Sequence, residues 1–383
     1  LSPRVFFCQR RLDAESFRVR ALSSLAMIRL FRPAPGAWAL SLAALSAAPC
    51  LVHAQSNVTV YGLIDTAVRY STHEGADGSG KAQLSDGVLT GSRLGFRGAE
   101  ELGGGYKAEF VLETGYSPDT GINQQGGRLF GRQSTLGLSG GFGRVTVGRQ
   151  FTLPQDVIGS YEATYLGNLV LLGYQGTTYT GLRQENMVKY VGAVGNTTLM
   201  ASYTPGERPG QAVSTGATYA GAVSHTTGRV MLAGVYQVQK DVESYFGSVV
   251  PATRQTTWSV GGTYALDRAK LYLGYTWNHL AQSDTLNQAV YTGFNATLAP
   301  AWSLIGAITY DRLSRGGASG QRVSTGAILG YALSKRSDVY VAADYTWLQG
   351  EWIGVASTPG FFTPFYASNP TRIGAMAGVR TRF

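Results

Sequence analysis

From residue 58 onward the chain alternates. Val58, Val60, Gly62, Ile64, Thr66 and Val68 fall on one face of an extended segment, and Tyr61, Asp65 and Arg69 fall on the other. The same two-residue period recurs to the end. Leu94 and Phe96 oppose Arg93 and Arg97, while Ala108, Phe110 and Leu112 oppose Lys107, Glu109 and Glu113. Leu271, Leu273, Tyr275 and Trp277 oppose Lys270, Tyr272 and Asn278; Val339, Val341, Tyr345 and Trp347 oppose Asp338 and Asp344. The last segment sets Ile373, Ala375, Ala377, Val379 and Phe383 against Arg372, Arg380 and Arg382. Period-two alternation is the mark of strands with one apolar face. It predicts sixteen strands, near 58–71, 90–100, 105–117, 129–139, 143–151, 183–193, 196–204, 211–224, 229–242, 253–265, 269–280, 286–298, 302–313, 321–333, 338–349 and 369–383.

A soluble sandwich would alternate in the same way. Three features favour a membrane barrel instead. The strands are long enough to cross a bilayer when tilted. Aromatic residues gather at strand ends, including Tyr70, Tyr116, Trp258, Trp277, Trp302, Trp347 and Phe383, as in interfacial girdles. Tight connections, such as those at 101–104, 140–142 and 194–195, alternate with longer ones. The fold class is therefore all-β: a sixteen-stranded antiparallel transmembrane β-barrel, closed because hydrocarbon tolerates no free sheet edge.

The stretch from Phe151 to Leu182 breaks the pattern. A loop of about thirty residues inside a compact fold is usually functional or disordered. This one carries Tyr161, Tyr165, Tyr174 and Tyr179, a Leu/Val run, and only Asp156 and Glu162 as acids, so it should pack against something. On a barrel it would fold into the lumen as the third outer loop. On a soluble protein it would be a surface lid.

The first 54 residues read differently. Residues 1–26 are Arg-rich, without β alternation, and have the character of an upstream extension. Residues 27–54 have the parts of a secretory signal peptide: Arg29 and Arg32, an apolar core from Ala37 to Ala48, and Val52 and Ala54 at −3 and −1 of a cleavage site. The barrel is then 55–383. Cleavage before Gln55 would remove both cysteines, Cys8 and Cys50. It would also remove seven arginines and two acids from a formal charge of +9, leaving +4. Nucleic-acid binding loses its main support with that charge. No disulfide or thiol chemistry remains, no window is apolar enough for a transmembrane helix, and no phosphate-cradling motif occurs. His73, His225 and His279 have no assignable nucleophile beside them and no metal-ligand spacing, so neither catalysis nor a cofactor is expected.

The stretches GSRLGFRGAEELGGGYKAEFVLETGY (91–116) and LFGRQSTLGLSGGFGRVTVGRQ (129–150) resemble the trimeric general porins of the β-proteobacterial type. So do VTVYGLIDTAV near residue 58 and the closing GVRTRF. The resemblance covers essentially all of 55–383 and is strongest from 58 to 150. It implies a homotrimer in the outer membrane of a Gram-negative bacterium, with the third outer loop folded into each pore, passing small hydrophilic solutes and ions. It also implies a constriction where basic wall residues face acids. Carried over by position, Arg93, Arg132 and Arg183 match its arginines, and Glu113 and Glu162 match its acids. A solute-specific channel and a non-conducting surface adhesin are the alternatives.

Residue parity adds to that set. It places Arg93, Arg97 and Glu113 on the lumen face and groups Arg183 with Lys189; Asp156 joins the acids from the loop. Parity counted back from Leu136 and Leu138 puts Arg132 on the lipid face, where an arginine at mid-membrane costs roughly 2–4 kcal/mol. Arg132 therefore stands on the resemblance alone. Few charges dominate ion choice in a narrow pore between low-dielectric walls, and here positive charge is in excess, which predicts a modest anion preference.

Overall fold

A computed structural model describes residues 57–74, 77–87, 89–164, 181–245, 248–356 and 369–383. The leader expected at 1–54 lies outside these residues, as does the apolar middle of the long loop at 165–180.

Seventeen strands are formed among the described residues. The first nine are β1 (Asn57–Ser71), β2 (Lys81–Asp86), β3 (Arg93–Gly103), β4 (Tyr106–Gly115), β5 (Gln133–Gly140), β6 (Gly143–Phe151), β7 (Arg183–Val194), β8 (Thr197–Thr204) and β9 (Thr218–Thr227). The rest are β10 (Val230–Tyr245), β11 (Ser248–Ala265), β12 (Ala269–Leu280), β13 (Thr285–Ala299), β14 (Trp302–Arg315), β15 (Ala318–Ala332), β16 (Ser337–Gly350) and β17 (Thr371–Arg382). Each pairs antiparallel with its neighbours, and β17 closes on β1 from Leu63↔Arg382 to Ser71↔Gly374. The lower half of β1 pairs with β3 and its upper half with β2, so β2 and β3 fill one position between them. The result is the expected sixteen-stranded closed antiparallel barrel, its second strand interrupted.

The interruption has a visible cause. Gly87 and residues 89–92 leave the ladder and fold over Asp65, whose carboxylate accepts the N–H groups of Leu89 (2.8 Å) and Thr90 (2.7 Å) and the hydroxyl of Tyr340 (2.7 Å). The sequence reading placed 81–86 in a loop, because KAQLSD carries too few apolar residues to show alternation. The eighth expected strand begins at 211, whereas its counterpart, β9, starts at Thr218.

The two faces are sorted the opposite way from a soluble protein. On β12, Leu271 and Leu273 point outward and are exposed, while Thr276 and Asn278 point inward and are buried. On β1, Val58, Val60 and Val68 are exposed outward, and Asp65 and Arg69 are buried inward. Apolar surface turned to the medium and polar groups turned inside is the arrangement that lipid, not water, stabilises. One end of the barrel carries tight turns. At Gly103, Gly104 and Gly105 φ is +84°, +60° and +83°, values that side-chain-bearing residues rarely adopt.

Among the described residues, beside a four-residue helical turn at Gln124–Gly127, two short helices pack on the barrel. Residues Leu153–Tyr161 form the first, with Thr152 as N-cap accepting from the Gln155 N–H and Pro154 in its opening turn. Leu153, Val157, Ile158 and Tyr161 pack with inward residues of the wall, among them Val235, Leu280, Ala289 and Tyr291. The second helix, Glu351–Ala356, adds Trp352 and Val355 to the same apolar cluster. No helical period was read at either place.

Candidate functional site

The predicted residues gather in two groups on the inner wall. The first centres on Glu113 of β4. Its carboxylate accepts from Arg132 Nε at 2.7 Å and from the Tyr61 hydroxyl at 2.9 Å, with Arg93 Nη1 at 4.0 Å. Cross-strand register explains the grouping. Tyr61 of β1 sits opposite Gly95 of β3, and Gly95 sits opposite Glu113. A Cβ at Gly95 would lie 2.5 Å from the Tyr61 ring, so glycine there lets the phenol lie flat across the wall towards the carboxylate. Arg97 stacks its guanidinium 5.3 Å above the same ring and remains exposed.

Arg132 is not on the lipid face. It lies in a bend just before β5, and its N–H bonds to the Glu113 carbonyl at 3.1 Å. Strand parity does not extend through the bend, and the side chain turns inward to the carboxylate. The parity argument failed here because it ran the alternation one residue beyond the strand.

The strand that carries Arg183 is irregular at its start. The ladder between β6 and β7 slips between Gly148 (φ +117°) and Gln150, and Asn186 has φ +55°. Beyond this bulge it is Gln184 that reaches Thr218 (2.9 Å) and Thr204 (2.9 Å). Arg183 instead lies 4.4 Å over the Phe151 ring, within electrostatic reach of Arg132, Glu113, Arg149 and Arg93.

The second group ties the first helix to the wall. Lys189 of β7 bonds Asp156 at 2.7 Å. Burial raises the Asp156 carboxyl above its ordinary value, and the Lys189 ammonium pulls it back. At the helix's other end the Tyr161 hydroxyl donates to Ser259 at 2.8 Å, and its ring stacks on Tyr291 at 6.2 Å. Gly261 lies beneath that ring, where a Cβ would come within 2.3 Å of it. Glu162 is buried and accepts from the N–H (3.0 Å) and hydroxyl of Thr164 (2.6 Å).

Further inward ion pairs lie outside the expected site, among them Arg380 and Arg382 sharing Asp338 at 3.1 and 3.2 Å. Arg69 grips Asp344 through both Nη atoms (2.9 and 3.1 Å), Arg372 meets Glu74 at 3.1 Å, and Arg322 meets Asp311 at 3.2 Å with Trp352 stacked beneath its guanidinium at 4.7 Å. Asp344 and Arg69 could have been found from parity, since both alternate with apolar outward residues. The pairing itself could not, because it depends on register across the closure of the barrel. Among the described residues no cluster of His, Cys, Asp or Glu is arranged to hold a metal.

An outer-membrane β-barrel of Gram-negative type is what this closed wall, inverted polarity and charged interior define. Residues 41–349 match the Gram-negative porin family, and the chain belongs to that family. It is 36% identical over 165 residues to an outer membrane porin protein of Bordetella pertussis, covering 39% of this chain and 43% of that protein. It is 38% identical over 160 residues to outer membrane porin protein 32 of Delftia acidovorans, covering 39% and 44%. The chain thus spans less than half the length of these curated relatives. Among solved structures, an anion-selective porin from Comamonas acidovorans shares the fold with a TM-score of 0.71 at 24% identity, over 86% of this chain and all of that one.

Proposed function

We propose that the chain, cleaved before Gln55 and assembled as a homotrimer, is a general diffusion channel for small hydrophilic solutes and ions with a modest anion preference. The connection between β6 and β7 folds into the lumen and narrows it, and Arg93, Arg97, Arg132, Arg183 and Lys189 set the local charge against Glu113, Asp156 and Glu162. One observation carries the preference: Arg132 and Arg93 converge on the carboxylate of Glu113, while Arg97 lies exposed beside it over the Tyr61 ring and meets no carboxylate among the described residues. The inward ion pairs Arg69–Asp344, Arg372–Glu74 and Arg322–Asp311 match charge for charge, and Arg380 and Arg382 share Asp338 near the short-turn end.

The helix contacts support the loop reading. Its apolar side meets inward residues of the tall wall, and its acid meets Lys189. Trimer assembly is supported by the low side of the wall. Strands β5 and β6 have 8 and 9 residues against 14 to 18 in β10, β11 and β14. Eight tilted residues span roughly 20 Å, short of the apolar band of about 25 Å, so protein rather than lipid should cover this side.

Planar-bilayer recording tests the class. An ohmic open channel, unsaturated by any one sugar or amino acid, is expected. Absence of conductance would favour an adhesin, and saturation by one solute would favour a specific channel.

A further inference from the structure

Strands β10 and β11 run on past the ends of their neighbours, and their upper arms turn inward. They pair without a break from Val230↔Tyr264 to Gln239↔Gln255, and at that row β9 ends at Thr218 and β12 at Leu280. Above the row the register slips twice, between Gln239 and Val242 and between Val242 and Ser244, and Asp241 takes φ +51°. Bulges of this kind bend a strand. The bend is braced from the connection before β9. The Lys240 N–H donates to the Ala217 carbonyl (2.9 Å) and the Gly216 N–H to the Asp241 carboxylate (3.0 Å). Arg208 holds the Asp241 carbonyl (2.9 Å) and the Glu243 carboxylate (2.8 Å).

Tyr245 shows where the arm of β10 goes. Continued straight from Gln239 at about 3.3 Å per residue, the strand would carry Tyr245 about 20 Å beyond the row. Instead the Tyr245 hydroxyl donates to Asn287 Oδ1 at 2.8 Å and accepts from Asn278 Nδ2 at 2.7 Å. Asn278 and Asn287 pair across β12 and β13, two residues below Leu280, and both are buried. The arm therefore reaches across β11 and doubles back over the inner wall of the outer mouth. Tyr245 and Val250 are buried there, in the apolar cluster that holds Leu280, Leu313 and Trp352, whereas Val249 is 89% exposed. Asn278 is itself fixed, because its Oδ1 accepts from Gln255 (2.7 Å) and Thr257 (2.6 Å). Every member of this network is neutral. Arg315 lies within electrostatic reach of the hydroxyl but belongs to β14, not to the arm.

We propose that Tyr245 is a second determinant of what the channel admits. Docked on Asn278 and Asn287, it holds the upper arms of β10 and β11 across the lumen. A neutral obstruction restricts by the width that it leaves, and pore width selects by solute size. It stands in series with the charged group around Glu113, which sorts ions by sign. The inference rests on the diffusion-channel reading, but not on the direction of ion preference.

Liposome swelling with the full mature barrel tests it, using neutral sugars from a pentose to a trisaccharide. In Y245A, trisaccharide entry relative to pentose entry should rise severalfold, while the zero-current potential in a salt gradient stays that of the wild type. An unchanged sugar ratio in a conducting Y245A channel would overturn the inference alone. So would a shifted potential with no change in the ratio, which would make the arm part of the charge filter. A wild type that passes no pentose would remove the channel reading, and this inference with it. Docking has its own readout, because the sequence after Cys50 has no cysteine. V250C should resist a water-soluble maleimide that labels V249C readily. Y245F keeps the ring and loses two hydrogen bonds, which together favour the docked arm on the order of tenfold, so Y245F/V250C should react faster than V250C by about that factor. Should Y245A fail to assemble, this comparison and the sugar ratio of Y245F stand in its place. Equal labelling of V250C and V249C, or equal rates in V250C and Y245F/V250C with an unchanged sugar ratio in Y245F, would refute the proposal.

Discussion

Glu113 is the residue on which the lumen charges depend. Its side chain is 7% exposed, as is that of Arg132, so the 2.7 Å bond between them is shielded from the pore water. Replacing Arg132 with alanine leaves the carboxylate with Tyr61 and the more distant Arg93. A hydrogen bond to a buried charged group contributes about 1.5–3 kcal/mol, and R132A should destabilise the detergent-held barrel by that much. Adding E113Q should restore a large part, as a double-mutant cycle in guanidinium unfolding would reveal. Arg97 gives the contrast: exposed over a ring, its change to glutamine should alter stability by no more than about 0.5 kcal/mol. Alternation revealed that Arg93, Arg97 and Glu113 share a face, because all three lie inside regular strands. It misplaced Arg132, because a bend displaces that residue from the period and leaves no mark in composition; the bulge before Arg183 is equally invisible there.

The helix Leu153–Tyr161 is the element that most narrows the account to particular contacts. Tyr161 is fully buried between Gly261 and Tyr291, with its hydroxyl on Ser259. Truncating a buried aromatic to alanine costs about 3–5 kcal/mol, more than a nine-residue helix can lose and stay docked. Y161A should therefore raise single-channel conductance while the barrel still folds, and G261V, which puts methyls where the ring lies, should do the same. Unchanged conductance in both would separate the helix from the pore's width. Its spacing was readable in principle: Leu153, Val157, Ile158 and Tyr161 repeat at helical intervals behind Thr152 and Pro154. The stretch was too short for the period to stand out against its surroundings. Strand β2 was hidden for a different reason. Its pairing with β1 comes from register and from Asp65 holding Leu89 and Thr90 aside, and KAQLSD offers only Ala82 and Leu84 as an alternating apolar pair, too few to stand out.

For the molecule as a whole, sixteen barrel positions, their order and the sorting of faces were legible, because every long strand repeats the same period against lipid. Assembly and processing give separate measurements. Unheated electrophoresis should show a slow band that collapses on boiling; a species running as a monomer without heating would remove the trimer. Intact mass of membrane-extracted protein should begin at Gln55, and a retained Cys50 would contradict the cleavage. The central claim, that the arginine-rich group around Glu113 governs ion choice, is tested most directly by the zero-current potential across a bilayer in a salt gradient. The wild-type channel should favour the anion at low salt. That preference should fade as salt rises, because the Debye length shrinks from about 10 Å at 0.1 M to about 3 Å at 1 M. In R93Q/R97Q, with assembly intact, the potential should move towards cation selectivity. A wild-type pore already cation-selective at low salt, or a double variant with unchanged potential, would contradict the account.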